Sequence, residues 1–269
     1  MNIFTIIFTQ PLTNGLILFY KLLGNNLGLA IVVFSVVLIF LLRPLTKPYL
    51  ESMKKIKDLQ PQIDKLKKKY GTDRLKFSQA QADLYKEKKI NPSAGCLPYL
   101  LQIVILISLF NVFTTSLSSG GDSHQKLNNL LYPALKLEQQ EALNTKFLYL
   151  DVAKPDTFRV TGVPFPLPGL VLVLAAVAQF LSVKITAPYI EAEKKMVKKT
   201  KAPEDDMQVA MTQSMTYTMP LMTIFFGINF PSGLALYWFI FSVVNVWQQV
   251  KMSGWGGLTP YIKKLPHLA

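Results

Sequence analysis

The sequence predicts an all-α polytopic membrane protein: five transmembrane helices around a hydrophilic groove, with an N-terminal interfacial helix and a cytoplasmic helical hairpin. Three observations predict it. Half of the 269 residues are hydrophobic, and they gather in apolar runs of spanning length near 27–45, 97–117, 167–187, 213–229 and 232–250, almost free of charge. The charged residues, with a formal balance of +13, fall between those runs and favour alternate gaps. Polar side chains recur at helical spacing inside the runs themselves. Cys96 is the single cysteine and His124 and His267 the two histidines, so a disulfide framework and a zinc or haem site are not expected.

The segment 1–26 is apolar, with Lys21 its one charge, and lacks the basic start of a secretory signal. Pro11 and the Asn14-Gly15 pair are expected to interrupt it, leaving Leu12 to Leu23 as a short helix lying along the membrane interface. A sixth span over 1–23 is the alternative. The first span is assigned to 27–48. Its uncharged part, Leu27 to Leu42, rises about 24 Å at 1.5 Å per residue, short of the roughly 30 Å hydrocarbon core. Arg43 then either anchors the helix at the cytoplasmic boundary or lies within a longer span, in a wet, protein-lined cavity; the length favours the cavity.

Residues 49–92 form the cytoplasmic segment. Tyr49, Met53, Ile56, Leu59, Ile63, Leu66 and Tyr70 make a narrow apolar stripe at alternating steps of three and four. Pro61 should kink this helix or begin its second part. Gly71-Thr72-Asp73 supplies a turn with an N-capping aspartate, and Phe77, Ala80 and Leu84 continue the stripe on a second helix until Asn91-Pro92 stops it. The result is an antiparallel hairpin, read either as a docking element or as a solvated basic connector. Its basic surface suits anionic lipid headgroups, while RNA contact is only weakly signalled.

The second span covers 93–117, an external loop 118–165, the third span 166–187, a cytoplasmic loop 188–211, the fourth span 212–229, the fifth 230–250 and a cytoplasmic tail 251–269. Residues 43–92 carry 14 Lys/Arg and 6 Asp/Glu, 118–165 carry 5 of each, and 184–212 carry 6 and 5. The excess of Lys and Arg near span ends places 43–92, 184–212 and the tail in the cytoplasm, with the N-terminus outside.

The fifth run aligns Trp238, Ser242, Asn245 and Gln249 on one face, and the third aligns Gln179, Ser182 and Thr186. The fourth offers Thr212, Thr216 and Thr223 beside Met211, Met215 and Met222; the second offers Ser108, Asn111 and Thr115, with Gln102 pointing elsewhere. Any one hydroxyl of this kind ordinarily just bonds a neighbouring helix, but stripes on several helices together favour a hydrated cavity. Candidate lining residues are Arg43, Gln102, Gln179, Ser182, Thr216, Trp238, Ser242 and Asn245. No Asp or Glu lies inside a run, no glycine-rich phosphate loop is present, and Ser182 and Lys184 at i, i+2 face different directions. Neither enzymatic chemistry nor a cofactor is expected.

Four stretches, "LLRPLTKP" at Arg43, "MKKIKDLQPQIDKLKKKYG" at 53–71, "LYKEKKINPSAGCLPYLLQ" at 84–102 and "MPLMTIFFGINFPSGLALYW" at 219–238, resemble the YidC family of membrane protein insertases, relatives of the mitochondrial oxidase-assembly and chloroplast albino-type proteins. The resemblance runs from about residue 10 to 250. It implies a five-helix core around a groove closed outside and open to cytoplasm and lipid. Arg43 corresponds to the family's groove arginine, which transiently holds an acidic or polar segment of an incoming protein. The hydrophobic segment of that protein slides into lipid along the third and fifth helices. The segment 50–90 corresponds to a mobile cytoplasmic hairpin that receives substrates and partners. Implied partners are nascent membrane proteins, with the ribosome and a Sec translocon as further candidates and anionic lipids around the bundle; DNA is not among them. Neither the large external domain of Gram-negative members nor a lipoprotein signal stands in the sequence, and a bacterial plasma membrane is the expected location. A small-solute transporter or channel and an assembly scaffold are the rival readings. Five spans do not divide into equal inverted repeats, which disfavours the transporter.

Overall fold

The computed structural model describes residues 2–70, 73–90, 97–116, 123–138, 143–186, 205–255 and 258. The Gly71-Thr72 turn, the stop at Asn91-Pro92, Cys96, most of the 188–211 loop and nearly all of the tail lie outside the described residues, as do the side chains of Tyr49, Met53, Thr115, Met211, Thr212 and Met215. The chain divides into two compact units, one of Met1–Leu41, Tyr99–Gln179 and Pro220–Val244, the other of Leu42–Pro98, Phe180–Met219 and Asn245–Ala269.

In the first unit a π-helical turn, Thr5–Thr9, runs into α1 (Gln10–Leu22). Pro11 sits where the π-helical turn gives way to α1, and the helix passes through it without a break. The short helix expected over Leu12 to Leu23 is present as α1, and Asn14-Gly15, which was expected to interrupt the apolar run, lies inside it without a break. Both residues are helical because each has a tertiary task. A Cβ on Gly15 would stand 2.7 Å from Cε2 of Phe34, so glycine is what lets α1 lie against α2 (Leu27–Leu41). The buried Asn14 amide donates to the Gln10 carbonyl at 2.8 Å and the Leu130 carbonyl at 2.9 Å, and its oxygen accepts from the Tyr132 N–H at 2.7 Å. Those bonds tie α1 to α7 (Ser123–Leu130) and the 3-10 turn Pro133–Leu135, over a cluster of Ile17, Leu127, Leu131 and Leu137.

Residues 144–170 carry structure that hydropathy did not signal. Two antiparallel ladders, β1 (Lys146–Phe147) with β2 (Leu150–Asp151) and β3 (Thr157–Phe158) with β4 (Leu167–Pro168), fold this stretch into a clasp. The clasp takes up the unpaired N–H groups that begin three helices. For α2, the Leu27 N–H donates to the Asn144 carbonyl at 3.0 Å while the Asn26 side chain accepts from the Leu29 N–H at 2.9 Å. For α8 (Leu170–Thr186), the Val171 N–H donates to the Tyr149 hydroxyl and the Leu172 N–H to the Asp156 carboxylate, each at 3.0 Å. For α10 (Ser232–Ser253), the Ser232 and Gly233 N–H groups donate to the carbonyls of Lys154 and Val152, at 2.7 and 3.0 Å. Asp156 is buried, accepts a further bond from Tyr149, and leaves no space at Gly169, where an added Cβ would fall 1.8 Å from its Oδ1. Partial burial, and then the charge of Asp156, pushes the Tyr149 phenol up, so it stays a protonated donor to that carboxylate.

Phe113 of α6 (Leu97–Ser116), Leu172 of α8 and Leu234 and Tyr237 of α10 are fully buried in the same unit, together with Leu16, Ile17 and Tyr20 of α1. α9 (Asp205–Gly227) carries Pro220 inside the helix.

In the second unit α3 (Arg43–Asp58) begins two residues after α2 ends, with Leu42 alone between them. The unbroken helix expected over 27–48 is therefore two helices. Pro44 supplies the cause: it has no N–H to donate back to the preceding turn, so the ladder of helix bonds is interrupted there. A second break falls at Leu59, two residues before Pro61, as the proline required. α4 (Gln60–Tyr70) and α5 (Arg74–Glu87) then form the expected hairpin around Leu59, Ile63 and Ile90, with Ile56, Phe77, Leu84 and Tyr85 packed on them. Asp73 caps α5, its carboxylate accepting from the Lys76 N–H at 3.2 Å.

The all-helical expectation holds, with the clasp as its small β addition. Five helices (α2, α6, α8, α9 and α10) coincide with the five apolar runs. Among the described residues, however, no helix is long and apolar enough to cross a membrane. α2 has 15 residues and α8 has 17, against about 20 for a full span. α10 is long enough, but Asn245, Gln248 and Gln249 dilute its apolar character.

Candidate functional site

Polar side chains inside the apolar helices meet in pairs. In the first unit the Tyr237 hydroxyl of α10 donates to Oε1 of Gln102 on α6 at 3.1 Å. The Thr223 hydroxyl of α9 donates to Oε1 of Gln179 on α8 at 2.5 Å. In the second unit Nε2 of Gln249 on α10 donates to the Ser182 hydroxyl of α8 at 3.3 Å. Each bond links two helices. Burying such groups without partners would cost about 1–3 kcal/mol each, and the pairing reduces that cost.

Reduction is incomplete. Among the described residues Nε2 of Gln102 and Oγ of Ser108 in the first unit, and Nε2 of Gln248 and Oε1 of Gln249 in the second, are buried without a hydrogen-bond partner. Four polar atoms on apolar helices therefore hold unused capacity for water or for a passing polar group.

Of the eight residues singled out from the sequence, Gln102, Gln179 and Ser182 enter the helix–helix pairs. Ser242 and Thr216 are buried, and Trp238 and Asn245 are partly exposed. Gln102, which lies off the Ser108–Asn111 face of α6, is met by the Tyr237 hydroxyl. Arg43 is exposed at the head of α3, where the Thr46 hydroxyl donates to its carbonyl at 3.2 Å. None of the ion pairs among the described residues involves its guanidinium.

Two participants escaped the sequence reading. Tyr237 stands beside Trp238 in "LYW" and reads as an aromatic core residue, which it is, apart from its hydroxyl. Gln248 lies off the face defined by Ser242 and Gln249, although the Gln248-Gln249 doublet in an apolar helix was a visible signal. Near the ends of α8 and α10, Lys184 and Lys251 lay their ammonium groups over the rings of Phe180 and Trp247, 5.4 and 4.4 Å from the centroids. The ring faces attract these cations and hold the stems along apolar surface. No cluster of metal-ligating side chains occurs among the described residues.

The profile of the "60Kd inner membrane protein" family matches residues 18–255. Membrane protein insertases named YidC are similar over most of the chain. The Fusobacterium nucleatum protein is 33% identical over 225 residues, covering 84% of this chain and 85% of its own length. The Oleidesulfovibrio alaskensis protein is 29% identical over 243 residues, 89% of this chain and 37% of that protein. A Shewanella protein (strain MR-7) is 33% identical over 238 residues, 87% of this chain and 35% of its own. This chain thus spans little more than a third of the Oleidesulfovibrio and Shewanella relatives. Because the matched stretch takes in α2, α6, α8, α9 and α10 with every paired polar residue described above, the chain belongs to the 60Kd inner membrane protein family, together with the YidC insertases.

Proposed function

We propose that this protein inserts newly made membrane proteins into a bacterial plasma membrane, with α2, α6, α8, α9 and α10 as its five spans, the N-terminus outside and the C-terminus in the cytoplasm. The observation that carries this reading is the set of half-satisfied polar groups on apolar helices. A polar segment crossing lipid loses its water at every unpaired N–H and C=O, at several kcal/mol each. Side chains such as Gln102, Ser108, Gln248 and Gln249, with donors and acceptors to spare, replace part of that water and lower the barrier. Arg43 contributes a cation that is in no ion pair among the described residues, suited to hold an acidic segment briefly. No nucleotide is required for one short translocated segment, because release of an apolar helix into lipid is downhill.

Charge distribution supports the orientation. The first unit holds six of the 29 Lys/Arg (Lys21, Lys126, Lys136, Lys146, Lys154 and Arg159), leaving 23 for the second. The helices whose N-termini meet in the clasp, α2, α8 and α10, are followed or ended by Arg43, Lys184 and Lys251. Cations there suit both the helix dipole and the positive-inside rule. The relatives' name supports the activity, and nascent membrane proteins are the substrates it implies. The hairpin α4–α5 is the surface we assign to arriving substrates, the ribosome or a Sec translocon.

A photo-crosslinking residue at Gln179 or Trp238 is expected to capture a nascent membrane protein during insertion. A scaffold would capture only completed partners, and solute flux through vesicles holding this protein and no substrate would instead indicate a channel. Arg43→Ala is expected to slow insertion of substrates with acidic translocated tails, while Arg43→Lys keeps most of the rate. Wild-type rates for both variants would remove Arg43 from the mechanism.

A further inference from the structure

The turn joining β1 to β2 is built from the wrong residues for water. It has two central residues, Leu148 and Tyr149, since Phe147 pairs with Leu150. Leu148 has φ +55°, a conformation for which hairpins select glycine or asparagine. Its side chain is 86% exposed, the highest value for any large hydrophobic side chain among the described residues. Tyr149, Phe158, Phe165 and Leu170, all within the clasp or at its edge, are exposed as well.

The position of this apolar set is fixed. Tyr149 receives the Val171 N–H, Asp156 receives the Leu172 N–H, and Asn144 receives the Leu27 N–H, so the clasp is held at the first turns of α8 and α2. On the five-span reading, on which this inference rests, the first turn of a spanning helix lies where acyl chains give way to headgroups. We infer that the clasp is a membrane anchor: Leu148 and its apolar neighbours dip into the outer acyl–headgroup boundary. The occupant is phospholipid, because the exposed Lys146 and Arg159 beside these residues suit phosphate groups and a tyrosine is at home at that depth. The anchor fixes the outer ends of α2, α8 and α10 relative to the bilayer surface, so that the polar side chains below them sit at set depths.

The test uses the full chain, with Cys96→Ser, in phosphatidylcholine–phosphatidylglycerol vesicles. Spin labels are placed one at a time at Leu148→Cys, at Val177→Cys on the exposed face of α8, and at Lys65→Cys on the hairpin. Collisions with oxygen and with a water-soluble nickel complex report depth. The label at 148 is expected to favour oxygen over nickel, between the deep value at 177 and the aqueous value at 65. A label at 148 that matches 65 while 177 reads deep overturns the anchor and leaves the spanning reading intact. A label at 148 shielded from both reagents means that protein covers the turn, which also overturns it. An aqueous value at 177 removes the five-span reading, and the anchor with it. Leu148→Gly, which suits the backbone of the turn, separates anchoring from folding: it should leave the melting temperature in detergent equal or higher while losing stability relative to the parent in vesicles. Equal gains in both media would overturn the anchor.

Discussion

Asp156 and Asp73 are both carboxylates at helix N-termini, and their surroundings give them different weight. Asp156 is buried and accepts from the Leu172 N–H and the Tyr149 hydroxyl. Asp156→Ala strands both donors and should lower stability by about 1–3 kcal/mol, read as a lower melting temperature in detergent. Asp156→Asn keeps an acceptor and should lose less. Asp73 is open to solvent, and its pKa is held below the usual 3.8 by the Lys76 ammonium, 2.9 Å away, and then by the Lys76 N–H. A depressed carboxylate stabilises the fold above its unfolded pKa and loses that contribution as the pH falls through its folded value. Amide exchange in the first turn of α5 should therefore speed up, relative to the intrinsic rate, below about pH 4, and Asp73→Asn should abolish that pH dependence.

Between elements, close approach and shared hydrogen bonds decide the packing. Gly15→Ala drives a methyl into the Phe34 ring, and overpacking of this kind costs about 1–3 kcal/mol. Combining it with Phe34→Leu makes room and should recover part of the loss, a coupling that a double-mutant thermal series measures. Gln179→Leu breaks the α8–α9 bond to Thr223 but also removes a buried amide. In a membrane its net cost should be near 0.6 kcal/mol and at most ~1–2, so a larger loss of insertion than of stability would point to a role with substrate.

For the whole molecule, the separation of charge between the two units makes a topological prediction. With Cys96→Ser, a cysteine replacing Lys146 should react with a membrane-impermeant thiol reagent added outside intact cells, and one replacing Lys65 should not until the membrane is opened. Reaction of Lys65→Cys from outside would reverse the orientation. Among the described residues three polar pairs lower the cost of burial, while four polar atoms on the apolar helices keep unused hydrogen-bonding capacity.

The sequence by itself determined the helical class, the five apolar runs, the hairpin with its break near Pro61 and its Asp73 cap, and the stripes that include Gln179, Ser182 and Ser242. Each of these is written in local periodicity, proline geometry or a capping residue, and none needs a distant partner. Only the tertiary structure decided the rest. Asn14-Gly15 looks like a turn until Phe34 and Tyr132 arrive from elsewhere in the chain to make each residue necessary inside a helix. The clasp at 144–170 has no hydrophobic period to announce it, because it exists to receive the N–H groups of α2, α8 and α10, helices that begin far apart in sequence. Tyr237 with Gln102, and Thr223 with Gln179, became partners for the same reason: a buried polar atom must find its complement in space, and local sequence does not say where that will be.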